Sequence, residues 1–150
     1  MSEAIDVKLN YENGYYDISI GSDGDLSKVS GLDTSLIVSL FANKRASDSE
    51  VPTKQYQEGW WGNLFSDDDF EIGSKVWIAL NSSIEQSTIS QIRKYVDDCY
   101  QWLIDDGYAD SISVSVSSRD SSIVGVVIKF SKSNIITERV YEILNNTPDV

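Results

Sequence analysis

The spacing of apolar residues changes abruptly in the second half of the chain, and this change most constrains the fold. The apolar residues of segment 88–107 recur at steps of three and four, the spacing of an amphipathic helix. They are Ile89, Ile92, Val96, Cys99 and Leu103. In segment 111–118, SISVSVSS, apolar residues alternate with serine, which is typical of a half-buried strand. The sequence therefore predicts a long helix followed by a sheet.

Short polar motifs mark the ends of this helix. Thr88-Ile-Ser-Gln91 has the spacing of a capping box, which predicts that the helix begins there. Gly107, after two aspartates, suits a left-handed cap at the helix end. Cys99 lies on the apolar stripe, and the chain has no histidine to activate a thiol. We therefore expect Cys99 to be a small core residue and not a nucleophile.

Polar turns at 119–122 and 132–134 divide the rest of the C-terminal half into strands. The segment 123–130 is apolar apart from Gly125 and Lys129, which predicts a second strand that forms a hairpin with the first. The last segment, 135–144, fits a third strand, although its apolar residues also share a helical stripe. The strand is the preferred interpretation.

The first half of the chain adds a hairpin and shorter helices. Alternation in Ile5–Leu9 and Tyr15–Ile20, around an Asn-Gly turn, predicts a hairpin. Asp33–Arg45 has an apolar stripe behind a possible Asp33 cap. Ser74 can cap a short helix, although the stretch that follows it also fits a strand. The apolar stripe of segment 33–45 consists of Leu36, Ile37, Leu40 and Phe41. The predicted fold is a single α+β domain over 1–150, a small antiparallel sheet with two or three packed helices.

The charge and the residue types exclude several kinds of function. The chain has 24 acidic and 12 basic residues, a net charge of -12, which repels nucleic acids and anionic membranes. It has no histidine and one cysteine, and no zinc or phosphate-binding motif, so we expect no metal and no cofactor. The N-terminus MSEAIDVKLN does not resemble an export signal, and we expect a cytoplasmic chain.

The segment EGWWGNLF follows a polar loop, 46–58, that contains Pro52. Trp60 and Trp61 form either a binding platform or a plug that fixes the loop on the core, and the plug is the preferred interpretation because it hides apolar surface. We expect at least one indole to pack on the first or the long helix. Lys44 and Arg45, just before the loop, either complement a helix dipole or bind a partner.

Acidic residues near the tryptophans provide the best case for catalysis. Asp67, Asp68, Asp69 and Glu71 follow closely, and glycoside hydrolysis needs two carboxylates. Clustered acids in an acidic chain are usually a solvated loop, so we expect no enzyme and no catalytic residue. The alternative is a carbohydrate-binding or lysozyme-like hydrolase domain that uses Trp60, Trp61 and these acids. Asp23 and Asp25 lack the spacing of an EF-hand calcium loop.

Several separated motifs, in a fixed order, resemble the tail baseplate protein family of Mu-like contractile phages, the gene-46 type. They are GDLSKVSGLDTSLIVSLFANKRA, GWWGNLF, IGSKVWIAL and QIRKYVDDCYQWLIDDGYAD. The matching positions are Gly31, Leu32, Thr34, Ser39 to Phe41, Arg45, Ala46, Gly59 to Gly62, Gly73, Ser74, Trp77, Trp102, Leu103, Asp106 and Gly107. This family is distantly similar to the gene-25-type wedge proteins, but the Glu-Pro-Arg signature of those proteins is absent here.

The resemblance implies a gene-25-like wedge fold and a structural subunit of the virion tail baseplate. It implies that the subunit is assembled in the host cytoplasm and joins other baseplate proteins in a symmetric multi-subunit assembly. The expected partners are a larger wedge protein and a tube or sheath initiator. The expected partner interface consists of Lys44, Arg45, Trp60 and Trp61.

Overall fold

The architecture is a three-stranded antiparallel sheet with helices on one face and smaller strand pairs at the N-terminal end. Residues 5–65 and 71–144 of this computed structural model are described. In chain order the elements are β1 (Ile5–Val7), β2 (Leu9–Glu12), β3 (Tyr15–Ile18), β4 (Lys28–Ser30), α1 (Asp33–Phe41), α2 (Val76–Ala79), α3 (Gln86–Cys99), α4 (Trp102–Asp105), β5 (Ser111–Ser118), β6 (Ile123–Lys132) and β7 (Ile135–Leu144). Short 3₁₀ turns cover Lys54–Tyr56 and Trp61–Phe65.

The three-stranded sheet has the order β5-β6-β7, with all pairs antiparallel. Its buried face is apolar because alternate side chains of a strand point to the same side. The buried side chains on it are Val114, Val124, Val126, Ile128, Phe130, Tyr141 and Ile143. The predicted hairpin of β5 and β6 is confirmed, and segment 135–144 is a strand. The predicted α+β class is confirmed as well.

Helices α1 and α3 supply the other side of the core. Leu36, Leu40, Ile92 and Val96 are buried among these helices and the sheet. Tyr100 is fully buried, and its hydroxyl donates a hydrogen bond of 2.8 Å to the Leu36 carbonyl oxygen. This bond gives the phenol a partner inside the core and ties the end of α3 to α1.

Two of the predicted capping roles, those of Thr88 and Asp33, are wrong. Helix α3 begins at Gln86, and the Thr88 hydroxyl donates back to the Ser83 carbonyl oxygen, so Thr88 lies inside the first turn and does not cap it. Helix α1 has no side-chain cap, because the Asp33 carboxylate accepts hydrogen bonds from Arg139 on β7 at 2.6 and 2.8 Å. A distant ion pair thus replaced the local cap.

Two predicted helix ends, those of α1 and α3, differ from the structure, and the predicted glycine cap agrees with it. Helix α1 ends at Phe41, four residues before Arg45, and α3 ends at Cys99, so Leu103 belongs to the separate α4. Gly107 has a φ of 74° and closes α4, as predicted. Among the described residues, no helix is long and apolar enough to cross a membrane.

The N-terminal hairpin is confirmed with different bounds. Strands β2 and β3 pair around Asn13 and Gly14, which both have positive φ, as a two-residue hairpin turn requires. Strand β1 pairs with β4 instead of extending the hairpin. The Ile5–Leu9 segment is therefore divided between two strand pairs.

Candidate interaction surface

The segment 59–65, which we call the aromatic loop, places large apolar side chains in solvent. The exposed fractions are 42% for Trp60, 70% for Trp61, 79% for Leu64 and 76% for Phe65. The Trp61 ring lies 5.9 Å from Trp60 and 6.0 Å from Phe65, centroid to centroid. A contiguous exposed apolar group of this kind is typical of a protein interaction site.

The loop enters this surface through a backbone turn that only glycine suits. Gly59 has a φ of 107°, and a Cβ built on it would lie 2.8 Å from the Arg45 Cβ. The Trp60 amide then donates a hydrogen bond of 2.8 Å to the Asn43 carbonyl oxygen. The start of the loop is therefore held against the segment that follows α1.

A second attachment holds the far side of the loop. The Asn63 side-chain amide donates to the Ile72 carbonyl oxygen at 3.1 Å, and its oxygen accepts from the Ile72 amide at 3.0 Å. The Trp60 ring lies over the Gly62 backbone, where any side chain at position 62 would collide with it. Asn63 thus acts as a clamp, and Gly62 makes room for the indole.

The preceding loop, 46–58, is anchored by a buried polar residue. Gln57 is 4% exposed, its side-chain oxygen accepts a hydrogen bond of 2.6 Å from Arg45, and its amide nitrogen donates to Asp48. Its carbonyl oxygen also accepts from the Ala46 amide at 2.9 Å. A buried glutamine with its polar atoms paired fixes the loop without an apolar anchor.

An ion pair fastens the middle of the same loop. The Glu50 carboxylate lies 2.7 Å from the Lys75 ammonium and accepts from the Ser47 amide and hydroxyl at 2.7 and 2.8 Å. Partial burial works against the charged carboxylate, but these donors outweigh it and lower the pKa of Glu50 to about 2. Glu50 therefore stays ionised over the ordinary pH range and keeps the loop on the segment before α2.

The expectation that the tryptophans plug the core is wrong. Trp61 is mostly exposed, and neither Trp60 nor Trp61 belongs to the apolar core formed by the helices and the sheet. The physical reason is that Gln57, Asn63 and Glu50 already hold the loop with hydrogen bonds. The indoles were free to remain at the surface. Polar side chains in a polar loop gave no periodic signal, so sequence reasoning missed these anchors.

Lys44 and Arg45 support the aromatic loop from beneath. They lie beyond the last turn of α1, so they do not complement its dipole. The Lys44 ammonium lies 3.3 Å from Glu71, and its carbonyl oxygen accepts from the Trp77 indole at 2.9 Å. Arg45 binds Gln57. The contacts of Asn43 with Trp60 and of Gly59 with Arg45 bring Lys44 and Arg45 close to Trp60. Of these four predicted interface residues, Trp60 and Trp61 present the apolar surface.

The acidic candidates for catalysis do not form a poised pair in the part of the chain that is described. Asp67, Asp68 and Asp69 lie outside the described residues, and Glu71 is paired with Lys44. A cavity of about 510 Å³ beside α3 has a mixed lining that includes Glu50, Glu71 and Cys99. Burial raises the pKa of the Cys99 thiol well above its usual range, which makes the thiol a poor nucleophile.

The described residues also contain no cluster that would hold a metal ion. No group of three or more His, Cys, Asp or Glu side chains with suitable placement occurs within 5–65 and 71–144. Asp25, one of the acids beside Gly24, is paired with Lys28 at 2.8 Å. The Lys28 ammonium and the Leu26 amide lower the pKa of Asp25. The surface with the clearest capacity for recognition is therefore the aromatic loop.

Most of this sequence is similar to that of known phage and prophage proteins. The family described as phage protein GP46 matches residues 32–134. The chain is 30% identical over 119 residues to the Mu-like prophage FluMu protein gp46 of Haemophilus influenzae, covering 79% of this chain and 81% of that protein. It is 30% identical over 112 residues to baseplate protein gp46 of Escherichia phage Mu, covering 73% and 74% respectively. The family match includes the aromatic loop and leaves out β1 to β4 and β7.

Proposed function

This chain belongs to the phage protein GP46 family, and from that premise we propose that it is a structural subunit of a contractile phage tail baseplate. The observation that carries the proposal is its similarity over most of its length to a protein named as a baseplate protein of phage Mu. The subunit joins the baseplate wedge to its neighbours, a larger wedge protein and the tube or sheath initiator, in the virion tail. Assembly takes place in the host cytoplasm.

We place the attachment to the larger neighbour at the aromatic loop. Trp61, Leu64 and Phe65 are at least 70% exposed, and their loop is held in one shape by the Asn63 clamp and the Gly59 turn. A surface fixed before binding loses less conformational entropy on docking. Tryptophan is also enriched among the residues that supply most of the binding free energy of interfaces.

The four expected interface residues divide into two groups in this proposal. Trp60 and Trp61 enter the partner, whereas Lys44 and Arg45 keep the loop in place through Glu71 and Gln57. Replacing Arg45 would therefore weaken docking indirectly, by releasing Gln57.

The geometry favours a structural subunit over a carbohydrate-binding or hydrolytic domain. The planes of Trp60 and Trp61 are inclined at 43°, so the two rings do not offer one flat surface to a sugar. Glu71, the described member of the acidic group, forms an ion pair with Lys44. Both features work against the stacking platform and the free carboxylate pair that glycoside chemistry needs.

We extend the proposal to the fold, as a gene-25-like wedge fold. It is supported by the small α+β architecture of a sheet with helices on one face. The absence of the Glu-Pro-Arg signature means that docking to the neighbouring wedge protein uses other residues. Superposition of an experimental structure on gene-25-type proteins tests this, and a different strand order would contradict it.

The functional proposal is tested by tail assembly with a Trp61→Ala variant. A phage that lacks this gene is supplied with the wild-type or variant chain, and complete tails are counted by electron microscopy. We expect Trp61→Ala to leave the melting temperature nearly unchanged, because the ring is exposed, and to weaken docking by about 30-fold, as loss of a central interface tryptophan does.

The control is Tyr56→Ala, at an aromatic residue outside the aromatic loop that is 56% exposed, against 70% for Trp61. Tyr56→Ala should assemble tails at the wild-type level. A wild-type number of complete tails with Trp61→Ala would contradict the claim that the aromatic loop is the docking surface. Normal tails in the complete absence of the chain would overturn the baseplate function itself. Release of sugar from cell-wall material by the purified protein would instead favour the hydrolase alternative.

A further inference from the structure

The N-terminal hairpin has an apolar face that the domain covers only in part. The pairs Leu9↔Ile18 and Tyr11↔Tyr16 place these side chains on one face of β2 and β3. Leu9 and Tyr16 pack against the core, but Tyr11 is 48% exposed and Ile18 is 54% exposed. The apolar face therefore extends beyond the surface that the rest of the chain covers.

The hairpin is fixed in position by ring contacts. The Tyr16 ring lies 4.9 Å from Phe41 on α1, and Phe41 lies 6.0 Å from Tyr141 on β7. The Tyr11 ring lies 5.1 Å from Tyr16, at the outer end of this row. The exposed face is thus a continuation of a packed aromatic row and does not depend on a separate mobile element.

Polar contacts join the hairpin to the second strand pair. The Asn10 amide donates to the Ser19 hydroxyl at 2.7 Å, and the Ser19 hydroxyl donates to that of Ser27 at 3.0 Å. The Thr34 hydroxyl at the start of α1 donates to the Val7 carbonyl oxygen at 2.6 Å. These contacts hold β1 to β4 as one unit on the domain, so Tyr11 and Ile18 present a preformed surface.

The charge around this face determines which partner fits it. Residues 5–30 carry more acidic than basic side chains: Asp6, Glu12, Asp17, Asp23 and Asp25 against Lys8 and Lys28. Lys28 is already paired with Asp25, and the whole chain has a net charge of -12. A second copy of this chain would bring like charges together, which disfavours self-association.

We propose that Tyr11 and Ile18 form a second docking surface, which binds a different baseplate protein through an apolar patch bordered by Lys and Arg side chains. The proposal rests on the proposed baseplate function. Tyr11 and Ile18 lie outside the family match at 32–134, whereas the aromatic loop lies within it. With two docking surfaces, one copy of the chain links two neighbours.

The test uses a photo-crosslinking phenylalanine analogue placed at Tyr11 in chains incorporated into purified tails. The matched control carries the analogue at Tyr15, which is 58% exposed on the opposite face of the same hairpin. We expect crosslinks from position 11, at least fivefold more than from position 15, to a Lys- or Arg-containing segment of a different tail protein. Equal yields from the two positions would overturn the proposal, and so would crosslinks to another copy of this chain.

A second measurement keeps the two proposals distinguishable. A Tyr11→Ser/Ile18→Thr double variant is compared with Tyr15→Ser for its level in purified tails. The melting temperatures of both variants are measured first, to show that both are folded. We expect the double variant to be reduced at least tenfold, with a larger loss at higher salt. If both variants enter tails at the wild-type level, the second docking surface is contradicted while the baseplate function stands. If the chain is absent from wild-type tails, both the baseplate function and the second docking surface are contradicted.

Discussion

At the scale of single residues, polar side chains determine which surfaces of this chain are available. Asn63, Gln57 and Glu50 each make at least two hydrogen bonds that hold the loops around the tryptophans. None of them lies in a periodic pattern, so the sequence offered no way to recognise them as anchors. The exposed tryptophans, Trp60 and Trp61, are held by these polar neighbours.

Glu50→Gln should destabilise the protein in a pH-dependent way. Because the folded pKa of Glu50 is about 2, below its ordinary 4.5, the carboxylate stabilises the fold above pH 4.5, and this contribution is lost as pH falls from 4.5 towards 2. We expect the variant to lose about 1–3 kcal/mol at pH 7. Urea unfolding at several pH values measures the difference. A deficit that does not shrink below pH 4.5 would contradict this assignment.

Tyr100→Phe should lower stability without changing the surface. The hydroxyl donates to the Leu36 carbonyl oxygen in a fully buried position, so its removal leaves that carbonyl without this donor. We expect a loss of about 1–2 kcal/mol and a melting temperature lower by about 2–8 °C. Calorimetry checks this. Tyr108→Phe, at an exposed ring, serves as the control and should have little effect.

At the scale of elements, the pattern of apolar residues was sufficient to predict the strands of the sheet. Local capping rules were insufficient to predict how the helices begin. Alternation predicted β5 and a mostly apolar run predicted β6, whereas for β7 the strand was preferred over a helix with the same apolar residues. Thr88 and Asp33 fitted local capping rules, but the Ser83 carbonyl oxygen and Arg139 bind them instead. Arg139 is more than a hundred residues from Asp33, and no local pattern reveals such a pairing.

Asn63→Ala should release the aromatic loop while leaving the core intact. The two hydrogen bonds to Ile72 would be lost, and the loop makes few contacts with the apolar core that could replace them. We expect amide hydrogen exchange in 60–65 to become at least tenfold faster, with protection in α3 and β6 unchanged. Asn81→Ala, at an exposed asparagine in another loop, is the control. Unchanged exchange in 60–65 would show that the clamp does not hold the loop.

At the scale of the whole molecule, a strongly acidic chain presents two separate apolar surfaces, the aromatic loop and the outer face of the hairpin. The charge keeps copies apart and attracts basic neighbours, while the apolar surfaces supply most of the affinity once contact is made. We expect isolated chains to remain monomeric at low salt. Analytical ultracentrifugation checks this, and a stable dimer at micromolar concentration would contradict it.

The most direct test of the baseplate function is the structure of the purified tail by electron cryomicroscopy. We expect the chain in the baseplate, with Trp61, Leu64 and Phe65 of the aromatic loop buried against a different protein. The exposed fraction of Trp61, 70% in the isolated chain, should fall below about 10%, as it does for the core of a protein interface. A tail without this chain, or a baseplate in which the aromatic loop still faces solvent, would contradict the account.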